Sequence, residues 1–155
     1  GEVARLKSLK RKAMSVGLDR RITWLGAQNQ EEVIHAYKNT DVFILPSKIA
    51  RNGARGGIPD VLMEAQSQGV ACVATRVAAI PELILHEETG LLSAPGDPED
   101  LARQITRFIV DFDLRRRLAE SGRRRVMSEF SFDVCIEAVT IKFARDEAKT
   151  ARILA

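Results

Sequence analysis

The chain alternates between stretches with apolar residues at helical spacing and short stretches that are apolar or β-branched throughout. The first kind, together with cap residues, predicts helices over residues 2–16, 29–38, 59–69, 81–85, 98–110 and 114–129. The second kind predicts strands at residues 21–26, 41–45, 70–75 and 89–93. Because strands and helices alternate, we expect an α/β fold, with a parallel sheet and helices on both faces.

Several helix boundaries have a specific chemical signal. Asn29 is followed three residues later by Glu32, the spacing of a reciprocal capping pair. Asp97 followed by Pro98 is typical of a helix start, and Gly69 of a helix end. The alternation of strands with these helices indicates a Rossmann-like sheet, in which ligands bind at the carboxyl ends of the strands.

The central candidate site is the stretch 56–64, where a glycine-rich loop leads into a helix that opens with Pro59. A strand, a glycine-containing loop and a helix together point free backbone N–H groups at an anion. Glu64 follows Asp60 by about one turn, roughly 6 Å along the axis, and its side chain leans toward the helix start. A phosphate at the helix tip and a carboxylate one turn later would suit a nucleotide. The loop 46–58 also carries a basic set, for which a ligand-facing role and a solvated loop stay equally open: Lys48, Arg51 and Arg55.

Composition narrows the function class only slightly. The 155 residues are 45% hydrophobic and 29% charged, with a formal net charge of +3, which is ordinary for a globular domain. The two cysteines make neither a disulfide framework nor a metal pattern, and Cys72 is expected in the core. His35 and His86 have no partner at a catalytic or metal-binding spacing, so we expect surface or half-buried roles.

Two arginine triplets, Arg115–Arg117 and Arg123–Arg125, raise the question of nucleic-acid binding. Aromatic residues make up only 5% of the chain, and Glu120 and Glu129 interrupt the basic run. A solvated helix face is therefore the first interpretation, attraction to a membrane surface the second, and a nucleic-acid partner is not expected.

The motifs around the central stretch occur in an ordered set. The segment 57–65 resembles the donor-site signature of the group 1 (family 4) retaining glycosyltransferases of the two-domain GT-B fold. The later motifs of that family match in order and spacing at residues 73–76, 80–84, 88–92 and 95–97. The resemblance runs from about Gly17 to Phe132.

The resemblance implies a glycosyltransferase that moves a hexosyl unit from a nucleotide-diphosphate sugar, with a nucleotide such as UDP or GDP, in polysaccharide or cell-surface glycan biosynthesis. It implies no cofactor, no metal, and no certain catalytic side chain, because such enzymes work by holding the donor diphosphate. Glu64 matches the ribose ligand. The expected donor-binding residues are Gly56, Gly57, Ile58, Pro59, Asp60, Val61, Glu64, Ser47, Leu25 and Gly26.

The chain departs from the family pattern at two places. The family has a sugar-binding glutamate eight positions before Glu64, where this chain has Gly56. The family also usually has glycine before the 80–84 motif, where Ala78 and Ala79 stand here, so a less permissive backbone is expected. A non-catalytic nucleotide-binding or interaction module is therefore the alternative function.

The resemblance also implies that residues 1–155 are a single, truncated C-terminal nucleotide-sugar-binding domain. Ser131 would cap a terminal helix, residues 132–155, that packs on the absent N-terminal acceptor domain and could promote self-association without it. The chain alone is then expected to be inactive. The expected location is cytoplasmic, with peripheral contact at the inner face of the membrane left open. Trp24, beside the nucleotide base region in relatives, is expected to be a core residue.

Overall fold

The computed structural model describes residues 2–48 and 57–130, with side chains described from residue 4 onward. The chain divides into two compact units, Gly1–Val33 and Ile34–Ala155, which we describe one at a time. Arg51, Arg55 and Gly56 of the basic and glycine-rich loop lie outside the described residues. The predicted terminal helix 132–155, with its cap, also lies outside them.

The first unit begins with the predicted helix, α1, which covers Glu2–Ser15. It ends at Gly17, whose φ of +68° lies in the left-handed region that glycine adopts without steric cost. The next amide, of Leu18, donates a 2.9 Å hydrogen bond back to the carbonyl oxygen of Ala13. The glycine thus ends α1 where the sequence predicts.

The predicted strand at residues 21–26 is wrong. Asp19–Arg21 form one turn of 3₁₀ helix instead, and residues 22–26 have no ladder hydrogen bonds to any strand in the described part of the chain. Ile22 is extended, with φ −113° and ψ 121°, so the local β-preference is present. β-Forming side chains make a strand only where another strand pairs with them, and that pairing is missing here.

The second helix, α2, covers Gln30–Lys38 and crosses the boundary between the two units. Its start is the predicted capping pair. The Glu32 amide donates to Asn29 Oδ1 at 2.9 Å, and the Asn29 amide donates to Glu32 Oε2 at 2.8 Å. Two amides that would otherwise lack partners at the helix start are satisfied by these bonds.

The second unit is built on a parallel three-stranded sheet in the order β1-β2-β3. Its strands are β1 (Val42–Leu45), β2 (Ala71–Thr75) and β3 (Leu91–Ser93). The helix α3 (Asp60–Ser67) connects β1 to β2, and the short α4 (Ile80–Leu83) lies between β2 and β3. Parallel strands with helical connections confirm the predicted α/β class.

Side chains from alternate strand positions pack on opposite faces of the sheet. One face carries a buried cluster with the two long helices α5 (Pro98–Val110) and α6 (Phe112–Glu129), made of Ala71, Val73, Leu91, Phe108 and Leu118. On the other face Tyr37 of α2 packs edge-on against Phe43, with ring centroids 5.6 Å apart and an interplanar angle of 78°. Phe43 pairs in register with Cys72, which is fully buried as predicted. Helices therefore cover both faces.

The long helices begin at aspartate caps. Asp97 accepts the Asp100 amide at 2.9 Å, with Pro98 as the first helical residue, which confirms that predicted start. Asp111 accepts the Leu114 amide at 2.8 Å, so α6 begins at Phe112, two residues before the predicted start.

The helices α3 and α6 approach each other closely at Gly122. The buried Gln66 of α3 donates to the carbonyl oxygen of Thr89 at 2.7 Å, directly beside Gly122. A Cβ atom added at Gly122 would lie 2.6 Å from Gln66 Nε2 and 2.8 Å from Thr89 O. Glycine at this position lets α6 pack over the hydrogen bond between Gln66 of α3 and the carbonyl oxygen of Thr89.

Candidate functional site

The carboxyl edge of the sheet is tied together by hydrogen bonds between the segments that leave the strands. The Thr75 hydroxyl, at the end of β2, donates to the carbonyl oxygen of Ser47 at 2.7 Å. The Arg76 amide donates to the carbonyl oxygen of Ser93, at the end of β3, at 2.8 Å. The start of the predicted binding loop, including the candidate Ser47, is thus fastened to the central strand.

The amino-terminal turn of α3 follows the loop that leaves β1. Pro59 precedes the helix with extended angles, φ −67° and ψ 124°, so α3 begins at Asp60, one residue after the predicted start. Gly57, Asp60 and Val61 are exposed, and Ile58 and Pro59 are half-buried. The first amides of a helix have no partner within it, and the helix dipole adds positive potential there. This turn can therefore receive an anion.

Glu64 lies one turn further along α3 and is half-buried. The hydroxyl of Tyr37 lies 3.4 Å from Glu64 Oε2 and 3.3 Å from the carbonyl oxygen of Val61. Burial, followed by the nearby charge of Glu64, raises the pKa of the Tyr37 hydroxyl, which remains a donor at neutral pH. The sequence interpretation missed Tyr37, the only tyrosine of the chain, because its link to Glu64 spans 27 positions.

The structure brings part of the predicted site together. Ser47 lies at the carboxyl edge of the sheet, and one helical turn with its preceding residues holds Gly57, Ile58, Pro59, Asp60, Val61 and Glu64. Leu25 and Gly26 belong to the first unit. There Leu25 is exposed and Gly26 has a φ of +70°.

Trp24, next to this pair, was expected in the core, and that expectation is wrong. It is 38% exposed, and Lys10 of α1 lies 5.9 Å from its ring centroid within the same unit. A cation over an aromatic face is stabilised by the ring quadrupole even at an exposed position.

The two histidines and Glu82 lie outside the first turn of α3. Glu82 is exposed, and its carbonyl oxygen accepts a 3.1 Å hydrogen bond from Arg125. His35 is exposed, and the half-buried His86 accepts the Leu92 amide through Nδ1 at 2.9 Å. The predicted surface and half-buried roles of the histidines are confirmed. Within the described ranges, no group of three or more His, Cys, Asp or Glu side chains could hold a metal ion.

Arginines on the basic face of α6 form ion pairs with nearby carboxylates. Arg115 contacts Asp41 at 3.3 Å, Arg124 contacts Glu120 at 2.9 Å and Arg125 contacts Glu129 at 3.0 Å. A depression of about 800 Å³ along this helix is lined by both arginine and carboxylate side chains, and α3 does not contribute to it. The arginines are exposed except Arg115 and Arg125, so a solvated helix face describes most of them. No helix among the described residues has the length and apolar content needed to cross a membrane.

Ala78, in the turn after β2, has a φ of +49°, a conformation that favours glycine. The alanine therefore strains a turn where the resembled family usually has glycine. Replacing Ala78 with glycine is expected to raise the free energy of unfolding by about 0.5–1 kcal/mol. The neighbouring Ala79 has φ −83°, so Ala79→Gly should instead lower it by a similar amount. Urea unfolding of both variants checks this, and equal effects would contradict it.

Comparison with known proteins identifies the family. The sequence model of the family described as "Glycosyl transferases group 1" matches residues 1–125. The N-acetyl-alpha-D-glucosaminyl L-malate synthase of Bacillus anthracis is 34% identical over 113 residues, which are 73% of this chain and 28% of that protein. The amylovoran biosynthesis glycosyltransferase AmsK of Erwinia amylovora is 39% identical over 84 residues, 54% of this chain and 21% of that protein.

A solved structure agrees with this assignment. The Anabaena protein HepE, crystallised in complex with UDP-glucose, superposes with a TM-score of 0.75 and 25% sequence identity, over 97% of this chain and 38% of HepE. The chain thus spans only 21% to 38% of the length of these relatives. The match over most of the chain and the shared fold confirm the expected GT-B architecture, and the chain belongs to the group 1 glycosyltransferase family.

Proposed function

We propose that this chain is the donor-binding part of a retaining glycosyltransferase that uses a nucleotide-diphosphate sugar. The observation that carries the proposal is the exposed first turn of α3, with Glu64 one turn behind it, at the carboxyl edge of a parallel sheet. This edge is where open α/β sheets bind their ligands. The complex of HepE with UDP-glucose supports a nucleotide-sugar ligand for this chain as well.

The proposed roles follow from the chemistry of each group. The free amides at the start of α3 would bind the donor diphosphate and stabilise the charge that develops on it as the sugar leaves. The Glu64 carboxylate would accept hydrogen bonds from the ribose hydroxyls. The amides of the exposed residues Asp60 and Val61 are the candidates, because the Leu62 amide already donates to the carbonyl oxygen of Pro59 at 2.9 Å.

The whole enzyme would transfer a hexosyl unit to an acceptor held elsewhere in the longer protein, so the chain by itself would bind donor without transfer. Relatives such as the amylovoran enzyme favour a polysaccharide or cell-surface glycan as the product. We also propose a cytoplasmic location, which suits the free, buried thiol of Cys72.

The proposal is tested by titrating UDP, GDP and ADP into the full-length parent protein by calorimetry. One of them should bind, and Glu64→Gln should weaken its binding about 10- to 150-fold, because a hydrogen bond to a charged group contributes about 1.5–3 kcal/mol. Glu99→Gln, an exposed carboxylate in the first turn of α5, is the matched control and should leave the affinity unchanged.

The same protein separates an enzyme from a non-catalytic binding module. The full-length parent protein should release the nucleotide from its sugar conjugate at a measurable rate. In the Glu64→Ala variant this rate should fall by at least the factor by which nucleotide binding is weakened. Binding without any turnover would favour the module. Failure of all three nucleotides to bind would rule out the donor site.

A further inference from the structure

The proposed ribose ligand is held by a side chain from a different element. Tyr37 is 7% exposed, and its ring is fixed by the edge-on contact with Phe43 of β1. The position of its hydroxyl is therefore set by the sheet and by α2, independently of α3. From there the hydroxyl reaches the first part of α3, at Val61 and Glu64.

The hydroxyl has one proton and two acceptors within reach. Its distances of 3.3 Å to Val61 O and 3.4 Å to Glu64 Oε2 are both longer than the usual 2.5–3.0 Å range for such bonds, so distance alone favours neither acceptor. A charged acceptor forms the stronger bond, so the Glu64 carboxylate is the favoured partner. Among the described residues, Tyr37 is the side chain that hydrogen-bonds to the carboxylate of Glu64.

We propose that Tyr37 is a positioning residue for Glu64, whose carboxylate it orients toward the ribose of the donor before the donor binds. This inference rests on the proposed function of Glu64 as the ribose ligand. A free glutamate side chain loses rotamer freedom when it binds a ligand. A glutamate side chain already held by Tyr37 loses less rotamer freedom on binding. The contact to Val61 adds a second link, because it ties the exposed turn of α3 to the same tyrosine.

The charge state of Tyr37 suits this role. Burial and, after it, the carboxylate of Glu64 raise the pKa of the Tyr37 hydroxyl above its ordinary value of 10.0, so the group stays a donor over the whole neutral range. The Tyr37→Phe variant keeps the ring against Phe43 and removes only the hydroxyl.

The test compares two ligands in the full-length parent protein: the nucleoside diphosphate that binds among UDP, GDP and ADP, and its 2′,3′-dideoxy form. Tyr37→Phe should raise the dissociation constant of the ribose nucleotide about 3- to 10-fold and leave that of the dideoxy nucleotide unchanged. In a Glu64→Gln background the same change should have no further effect on either ligand. A defect in folding would weaken both ligands equally, and this outcome would overturn the proposal.

Thr40→Val is the matched control. The Thr40 hydroxyl donates a 2.7 Å hydrogen bond to the carbonyl oxygen of Ala36 in α2, and the described contacts of the Thr40 side chain do not include Glu64. This variant should bind both nucleotides like the unmodified protein. If Glu64→Gln weakens binding while Tyr37→Phe does not, the positioning role is overturned and the donor site stands. If no nucleotide binds the unmodified parent, the donor site and the positioning role both fail.

Discussion

Replacing Gly122 with alanine is expected to lower the free energy of unfolding by roughly 2–4 kcal/mol, although alanine is the better helix former. The added methyl group would sit 2.6 Å from Gln66 Nε2 and 2.8 Å from the carbonyl oxygen of Thr89. To relieve these contacts, α6 must move away from α3 or the buried hydrogen bond between Gln66 and Thr89 must break. A buried polar group left without its partner costs about 1–3 kcal/mol.

Urea unfolding followed by circular dichroism measures this effect. Ser128→Ala, an exposed position on the same helix, is the control for helix propensity and should change stability little. In a Gln66→Ala background the same glycine-to-alanine change should cost less than it does in the unmodified protein, because one of the two close contacts is absent there. Stabilisation by Gly122→Ala alone would show that α3 and α6 are not in close contact here.

Alkaline pH is expected to destabilise the fold through Cys72. Burial raises the pKa of the Cys72 thiol from its ordinary value of 9.0 to about 12. The unfolded chain therefore loses the thiol proton at lower pH than the folded chain does. The stabilising contribution is complete below pH 9.0 and is lost as pH rises toward about 12. The expected loss is about 1.4 kcal/mol at pH 10 and approaches ~4 kcal/mol near pH 12.

The Cys72→Ala variant isolates this contribution. It lacks the thiol but retains Tyr37, whose raised pKa adds its own loss of stability above pH 10.0. The free energy of unfolding of the two proteins, measured between pH 7 and pH 11, should converge as the pH rises. Parallel pH profiles would show that the Cys72 thiolate is no more disfavoured in the folded protein than in the unfolded one.

Local sequence signals predicted most of the regular structure. The capping pair Asn29–Glu32 and the start at Asp97 are correct because the groups involved lie within three positions of each other. The strand predicted at 41–45 is found at Val42–Leu45, because a run of apolar, β-forming residues favours a strand. It is half-buried, with Ile44 exposed, whereas the apolar run predicted a buried strand. The strand at 21–26 is wrong because its formation depends on a partner that the segment itself cannot specify.

Some features of the candidate site could likewise be predicted from the local sequence, and others could not. The start of α3, to within one residue, and the place of Glu64 one turn later follow from residues 57–64. The orientation of the Glu64 carboxylate does not, because it depends on Tyr37.

By itself, then, the sequence determined the helices to within one or two residues of their starts, the positions of the three strands of the sheet, and the group 1 glycosyltransferase signature. These features depend on neighbouring residues or on an ordered series of short motifs. Only the tertiary structure decided the contact of Tyr37 with Glu64, the bridge from Gln66 to Thr89 past Gly122, and the strained turn at Ala78. The two hydrogen-bonded contacts join residues far apart in the chain, and the turn at Ala78 is defined by a backbone angle. All three features exist only when the helices have packed on the sheet.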